Sequence, residues 1–316
     1  MALANISPCT LGSPLRHVAL VGQFPPPVHG QALAIQRLAE ADWSDIVVHP
    51  VHLDMSDSLE QVGRASVFKL LRLLRCIRRT RRVLRRHGPC VLYYPPGDGR
   101  FVPFLRDVLF LLVVRREAAA TVFHYHAAGM GAYVMDSPMR RWAAHLFQTV
   151  DIAVQPGASC PPDAELLGAR EIRHIPTGIP DPGNRVGERL CSRSERFRVL
   201  VVGHLCPEKG TGLLPRIAER LKNIADIEIM GAWRLAAYRR QMEPSLQCDH
   251  VRFLGVCERE EKWNAFARAD VLLFPSLRET QGLVAVEAMA CGLPVVASDI
   301  DGIRDVVRDG VEGLLV

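Results

Sequence analysis

The chain has 316 residues, 48% apolar and 23% charged, the profile of a soluble globular protein with room for two ordinary domains, and one that excludes a disordered chain. Its formal net charge of +5 is unevenly spread. Between Arg64 and Arg86 stand ten Lys/Arg and no Asp/Glu, so taking +10 from +5 leaves −5 for the remainder.

In the first half, short β-branched runs alternate with helical patterns. Strands are predicted at 18–22, 46–51, 90–94, 121–125, 151–154 and 171–175, with helices at 31–41, 67–87 and 138–148. Apolar runs without alternation indicate parallel strands buried on both faces, and the intervening helices supply crossovers. The stretch Pro180-Asp181-Pro182-Gly183-Asn184 and the polar residues after it interrupt the pattern and mark a linker. Alternation then resumes, with strands predicted at 198–202, 227–231, 251–254, 271–274, 294–297 and 313–316. The expected architecture is α/β: two Rossmann-like doubly wound domains facing a cleft, at 15–180 and 197–316, joined by a linker at 181–196. Ligands of such sheets bind beyond the carboxyl ends of the strands, which places them in that cleft. The ending Gly-Leu-Leu-Val without a closing helix suggests that the second domain is incomplete or shortened.

Nine cysteines without a CxxC pair or regular spacing argue against a zinc site or a disulfide framework and fit a reducing cytoplasm. No signal peptide is read at the N-terminus. The apolar run Val108 to Val114 is far shorter than the ~20 residues of a membrane span.

The segment after strand 271–274 carries the main chemical signal. A loop through Glu279-Thr280-Gln281 leads to Gly282 and a helix stopped by Gly292 and Pro294. Without a Cβ, Gly282 opens the helix entrance, and the N–H groups of Leu283 and Val284 are expected to point outward as an anion site suited to a diphosphate. Glu287 leans back along the helix toward the same place. Carboxylates beside a phosphate are useful as acceptors for hydroxyl groups, and a nucleotide sugar supplies both. From spacing alone, the simpler reading is a solvated loop glutamate and a surface helix glutamate.

Upstream, "VLVVGHLCPEKGTGLL" puts Gly203 and His204 at a strand end and Lys209 before a helix. A fixed cation there would stabilise a departing diphosphate more in the transition state than in the ground state. A solvent-exposed lysine is the plainer alternative. In "VALVGQFPPPVHGQALAIQRLAE", Gly30 would let a helix N-terminus approach a diphosphate from the first domain; a structural turn is the rival. In "TVFHYHAAG", His124 and His126 lie at a strand end, and alternation along the strand is expected to turn them to opposite faces, against metal binding. The arginine-rich segment reads as one long helix with Phe68, Leu71, Leu74 and Ile77 packed on the sheet and Arg78, Arg81, Arg82 and Arg85 facing out. Such a face suits anionic lipid headgroups; no nucleic-acid-binding motif accompanies it.

The stretch "ADVLLFPSLRETQGLVAVEAMACGLPVVAS", with Glu279-x7-Glu287 around Gly282, resembles the signature of retaining glycosyltransferases of family 4, which have the GT-B fold. The likeness runs from about His17 to the end and is strongest from Val199 onward. It implies that Glu279 contacts the transferred sugar, that Glu287 binds the ribose, and that Gly282, Leu283 and Val284 hold the diphosphate. His126 matches a histidine near the reacting sugar, Gly30 the glycine of the first loop, and Pro176-Thr177-Gly178 a structural turn. The family's loop Gly-Arg-Leu-x-x-x-Lys-Gly has His204 here in place of arginine, which a neutral imidazole does not replace. Either Lys209 carries the load, His204 is protonated, or the enzyme is slow; the first is preferred.

The resemblance implies transfer of a hexose-type sugar from a UDP- or GDP-sugar to an acceptor hydroxyl with retention and without metal, and no DxD motif stands in a convincing loop. Polysaccharide, lipopolysaccharide or glycolipid synthesis, a cytoplasmic location and peripheral attachment to the membrane are the corresponding expectations. A nucleotide-sugar epimerase of the same architecture and a non-catalytic nucleotide-sugar binder are the alternatives.

Overall fold

The computed structural model describes residues 16–25, 30–53, 55, 67–148, 150–183, 196–257 and 260–316. Most of the expected linker, at 184–195, lies outside the described residues, as do residues 26–29 of the proline-rich loop and Arg64.

The first half builds β1 (His17–Gly22), α1 (Gly30–Glu40), β2 (Val47–His52), α2 (Val67–Arg86), β3 (Cys90–Tyr94), α3 (Phe101–Val114), β4 (Ala120–His124), α4 (Met130–Met135), α5 (Pro138–Arg141), α6 (Ala144–Gln148), β5 (Ile152–Gln155), α7 (Asp163–Leu166) and β6 (Glu171–His174). Its strands form one parallel sheet in the order β2-β1-β3-β4-β5-β6. Alternate residues of β1 serve opposite faces: Ala19 and Val21 join the core beneath α2 and α3, whereas Leu20 packs with Phe24 and Ile35 of α1. Helices on both faces make the sheet doubly wound.

The second half builds β7 (Phe197–Val202), α8 (Leu214–Leu221), β8 (Ala225–Met230), α9 (Ala236–Met242), β9 (Val251–Gly255), α10 (Glu260–Arg268), β10 (Val271–Phe274), α11 (Leu283–Ala290), β11 (Val295–Ala297) and β12 (Gly313–Leu315). These strands form a second parallel sheet, β12-β11-β10-β7-β8-β9. Counted within this half, that is the Rossmann order, with the reversal between β7 and β10. Val199 and Val201 pack with Leu214 and Ala218 of α8, while Leu200 and Val202 pack with α10 and α11. The α/β fold with two doubly wound sheets is as expected.

The apolar run at 108–114, too short for a membrane span, is the end of a 14-residue helix, α3, whose apolar pattern is broken by Arg106 and Asp107. Asp107 is fully buried and accepts hydrogen bonds from Tyr94 Oη at 2.6 Å and the Gly97 amide at 2.7 Å. The helix expected at 138–148 splits into α5 and α6 at a turn that buries Ala143 and leaves Trp142 half-exposed. On α2 the buried stripe is Leu73, Cys76, Ile77, Thr80 and Leu84. Of the four apolar residues expected on the sheet only Ile77 is there; Phe68, Leu71 and Leu74 are exposed, because the period of the helix turns them toward the arginine side.

Candidate active site

At the reversal between β7 and β10, the loops leaving two adjacent strands are brought together. Leu200 of β7 pairs in register with Leu272 of β10. Beyond the strand ends, the Leu277 amide donates to the Glu208 carbonyl at 2.9 Å. Gly210 lies between the loops at φ 71°, and a Cβ there would stand 1.8 Å from the Pro275 carbonyl oxygen. The closeness of these backbones therefore depends on glycine. It brings Lys209 Nζ into an ion pair with Glu279 Oε1, which also accepts from Ser276 Oγ at 2.8 Å. The Glu279 side chain is 11% exposed and that of Lys209 32%.

Gly282 caps α11 in the left-handed conformation, at φ 65° and ψ 45°. Its carbonyl accepts from the Ala285 and Val286 amides, so the helix begins immediately after it. The Leu283 and Val284 amides belong to the first turn, which has no preceding turn to receive them. Leu283 faces the other half of the molecule: a Cβ on Gly30, the first residue of α1, would lie 3.8 Å from Leu283 Cδ1. Two helix N-termini from different sheets thus converge, and their dipoles favour an anion between them. One turn along α11, Glu287 is buried and bonds through both oxygens to Lys262 Nζ of α10, at 2.7 and 2.6 Å.

Gly203 follows β7 with φ 146°, its amide donating to the Met230 carbonyl at 3.0 Å. His204 comes next. Burial lowers its pKa, and the cations Lys209 and Arg234 lower it further. Both effects favour the neutral imidazole. Arg234 supplies a guanidinium from elsewhere. It lies in the loop after β8, held by its amide on the Leu205 carbonyl at 3.2 Å and by an ion pair to Glu208 at 3.4 Å.

His124 and His126 do not lie on opposite faces. Their rings stack with centroids 3.8 Å apart, because a period of two returns residues i and i+2 to the same face. His124 Nδ1 is hydrogen-bonded to the Tyr93 hydroxyl, and burial pulls its pKa down to about 4. The loop that follows is fixed by Asp163, whose buried carboxylate accepts from the Gly129 and Gly131 amides, each at 2.7 Å.

The halves meet on the loop carrying Glu279. The Gln281 side chain accepts from the Thr177 amide at 2.8 Å and donates to the Thr177 carbonyl at 3.1 Å. Cys160 Sγ donates to the Thr280 carbonyl at 2.7 Å, and Asp305 accepts from the Ser159 amide at 2.9 and 3.0 Å. Thr177 therefore does more than close the first domain: it holds the second domain's loop. Lys262, Arg234, Gln281 and Ser276 went unread in the sequence. Lys262 and Arg234 come from elements remote in sequence from their partners, whereas Ser276 and Gln281 stand within the quoted signature and were open to inspection.

Residues 196–316 match the family model described as "Glycosyl transferases group 1". The second half of the chain is similar to that family. Among curated relatives, the D-inositol 3-phosphate glycosyltransferase of Geodermatophilus obscurus is 36% identical over 161 residues, covering 45% of this chain and 36% of the relative. The protein of the same name from Mycolicibacterium smegmatis is 38% identical over 143 residues, covering 43% and 33%. The chain thus matches about a third of these relatives' own length. Among solved structures, sucrose-phosphate synthase from Thermosynechococcus elongatus superposes with a TM-score of 0.69 at 21% identity, over 95% of this chain and 86% of that one. Anabaena HepE in complex with UDP-glucose superposes at 0.67 with 18% identity, over 95% and 85%. The fold is GT-B, in both halves.

Proposed function

We propose that the chain transfers a hexose-type sugar from a nucleoside diphosphate sugar to an acceptor hydroxyl, with retention at the anomeric carbon. The observation that carries this reading is the convergence beside the β7–β10 reversal. The N-terminus of α11 opens toward that of α1, with Glu279 and Glu287 on either side and Lys209 and Arg234 nearby. One place thus offers donors and cations for a diphosphate and carboxylates for sugar hydroxyls.

In this mechanism the Leu283 and Val284 amides, with Gly30 opposite, hold the diphosphate. Lys209 and Arg234 stabilise the charge that develops on it as the glycosidic bond breaks. Glu287, held in place by Lys262, orients the ribose, and Glu279 orients the hexose, exchanging Lys209 for donor hydroxyls on binding. His126 stands at the end of β4 on the acceptor side, which residues 15–180 provide. The departing phosphate takes the acceptor's proton on the same face. Gln281, Cys160 and Asp305 hold the halves closed and exclude water.

The test is a panel of UDP-, GDP- and ADP-sugars scored by nucleoside diphosphate release with and without acceptor sugars and lipid-linked sugars. A UDP-sugar is the first choice, since HepE superposes in complex with UDP-glucose. Release should depend on acceptor, be lost in Glu279→Gln, and not rise with added Mg2+ or Mn2+. An epimerised donor without acceptor would replace this reading with that of an epimerase, and nucleotide binding without turnover would replace it with that of a binder.

Peripheral attachment at the cytoplasmic membrane face is part of the same proposal. Phe68 (75% exposed), Leu70, Leu71 and Leu74 lie outward on α2 with Arg78, Arg79, Arg82 and Arg86. An open groove of about 500 Å3 is lined by Arg78, Arg81, Arg82, Arg85 and Arg86. Glu117 neutralises part of it, pairing with Arg81 at 2.7 Å and Arg85 at 2.6 Å. No helix among the described residues is long and apolar enough to cross a membrane. Flotation with anionic vesicles at physiological salt should carry the protein upward; protein left in the pellet fraction would count against attachment.

A further inference from the structure

At the opposite end of the first sheet from the cleft, three histidines remote in sequence come together. His17 opens β1, His49 lies on β2, and His87 follows the last residue of α2. Register explains the first two: His49 pairs with Ala19, which shares a face with His17, so both imidazoles project from one face of adjacent strands. Because α2 runs back across that face, its C-terminal end delivers His87 to the same spot. The ring centroids are 5.3 Å apart for His17 and His49, 5.1 Å for His17 and His87, and 4.0 Å for His49 and His87. All three rings are half-buried.

We propose that His17, His49 and His87 form a binding site for a divalent transition-metal ion of the zinc class, with water in the fourth position. One ring nitrogen from each residue lies within 4.8 Å of the others, and His17 Nδ1 stands 3.1 Å from His49 Nε2. Nitrogens that share a tetrahedral zinc at about 2.0–2.1 Å stand roughly 3.3 Å apart, so the closest pair is at ligand spacing and the third needs a small ring rotation. A hydrogen bond would account for the first pair alone; it gives no reason for the third imidazole to stack on the second. An all-imidazole set suits zinc, copper or nickel and not calcium or magnesium, which require oxygen ligands. The ion would clip β1, β2 and the end of the arginine-rich α2 together. The cluster stands apart from the cleft: β1 runs from His17 to Gly22 at about 3.3 Å per residue, which puts it roughly 17 Å from the cleft end of that strand.

The test uses the full chain without an affinity tag, stripped of metal and titrated with Zn2+ by calorimetry. One ion per chain and a thermal midpoint raised by several degrees in slight zinc excess are expected. His49→Gln and, separately, His87→Gln should each weaken zinc binding at least tenfold and abolish the thermal shift. Far-UV spectra and nucleoside diphosphate affinity should stay unchanged, which keeps this outcome independent of the cleft reading. Co2+ bound to the wild type should give the visible absorption of a tetrahedral site. Equal zinc uptake by the wild type and both variants, or none by any of them, would overturn the proposal.

Discussion

Gly210→Ala tests whether the site depends on the backbone contact between the two loops. The added Cβ would lie 1.8 Å from the Pro275 carbonyl oxygen, whereas ordinary contact begins near 3.4 Å. The loop carrying Lys209 must therefore retreat by about 1.6 Å from the one carrying Glu279. Left-handed backbone at a non-glycine residue adds about 1–2 kcal/mol of strain. A misplacement near 1 Å can cost about a hundredfold in rate, or roughly 2.7 kcal/mol of transition-state stabilisation. Gly212→Ala is the matched control, since its Cβ would meet only the Tyr238 hydroxyl, at 3.6 Å. Acceptor-dependent nucleotide release should fall about a hundredfold in kcat/KM for Gly210→Ala and stay within about twofold for Gly212→Ala. Urea unfolding should show Gly210→Ala still folded with a lowered midpoint. Wild-type kcat/KM in Gly210→Ala would refute the idea that this contact sets the Lys209–Glu279 geometry.

The other predictions concern single side chains. Lys209→Ala removes a charge-assisted hydrogen bond worth about 1.5–3 kcal/mol, so kcat/KM should drop by roughly 10- to 150-fold. Exposed Lys222→Ala is the control, and equal effects of the two would remove Lys209 from the mechanism. Lys262→Met leaves the buried Glu287 carboxylate without the cation that holds both its oxygens. Donor KM should rise about tenfold, or ~1.4 kcal/mol, with kcat little changed; the opposite pattern would place Lys262 at the reacting bond. His124 titrates near 6.5 when unfolded and about 4 when folded, so the unfolded chain binds the extra proton between those values. Stability therefore rises with pH through that window, and acidification from pH 7 to 4 costs about 3 kcal/mol from this group. Urea midpoints at pH 7 and 4 should differ less in His124→Gln than in the wild type; an equal difference would contradict the assignment.

Both sheets were legible because their strands are short β-branched runs buried on two faces, as in Arg198-Val199-Leu200-Val201-Val202. The helix between Glu279 and the stop was legible because Gly282 and Gly292 mark its ends, whereas the roles of Glu279 and Glu287 were read from the family resemblance alone. What the sequence hid lies mostly in side chains that meet across elements. Nothing local says that Lys262 reaches Glu287 or that the Gln281 amide grips Thr177. Arg234 was hidden for the same reason, although the missing arginine at position 204 invited a search for another cation. The three-histidine cluster depends on strand register and on where α2 ends, neither of which a linear reading supplies. The stacked His124 and His126 were different: strand geometry alone puts them on one face.

The most direct test is nuclear magnetic resonance of the product formed from an α-configured nucleotide sugar and acceptor. The account predicts a new glycosidic linkage that keeps the α configuration, formed by the wild type and absent in Glu279→Gln and Lys209→Ala. A β-linked product, or equal transfer by the wild type and both variants, would contradict it.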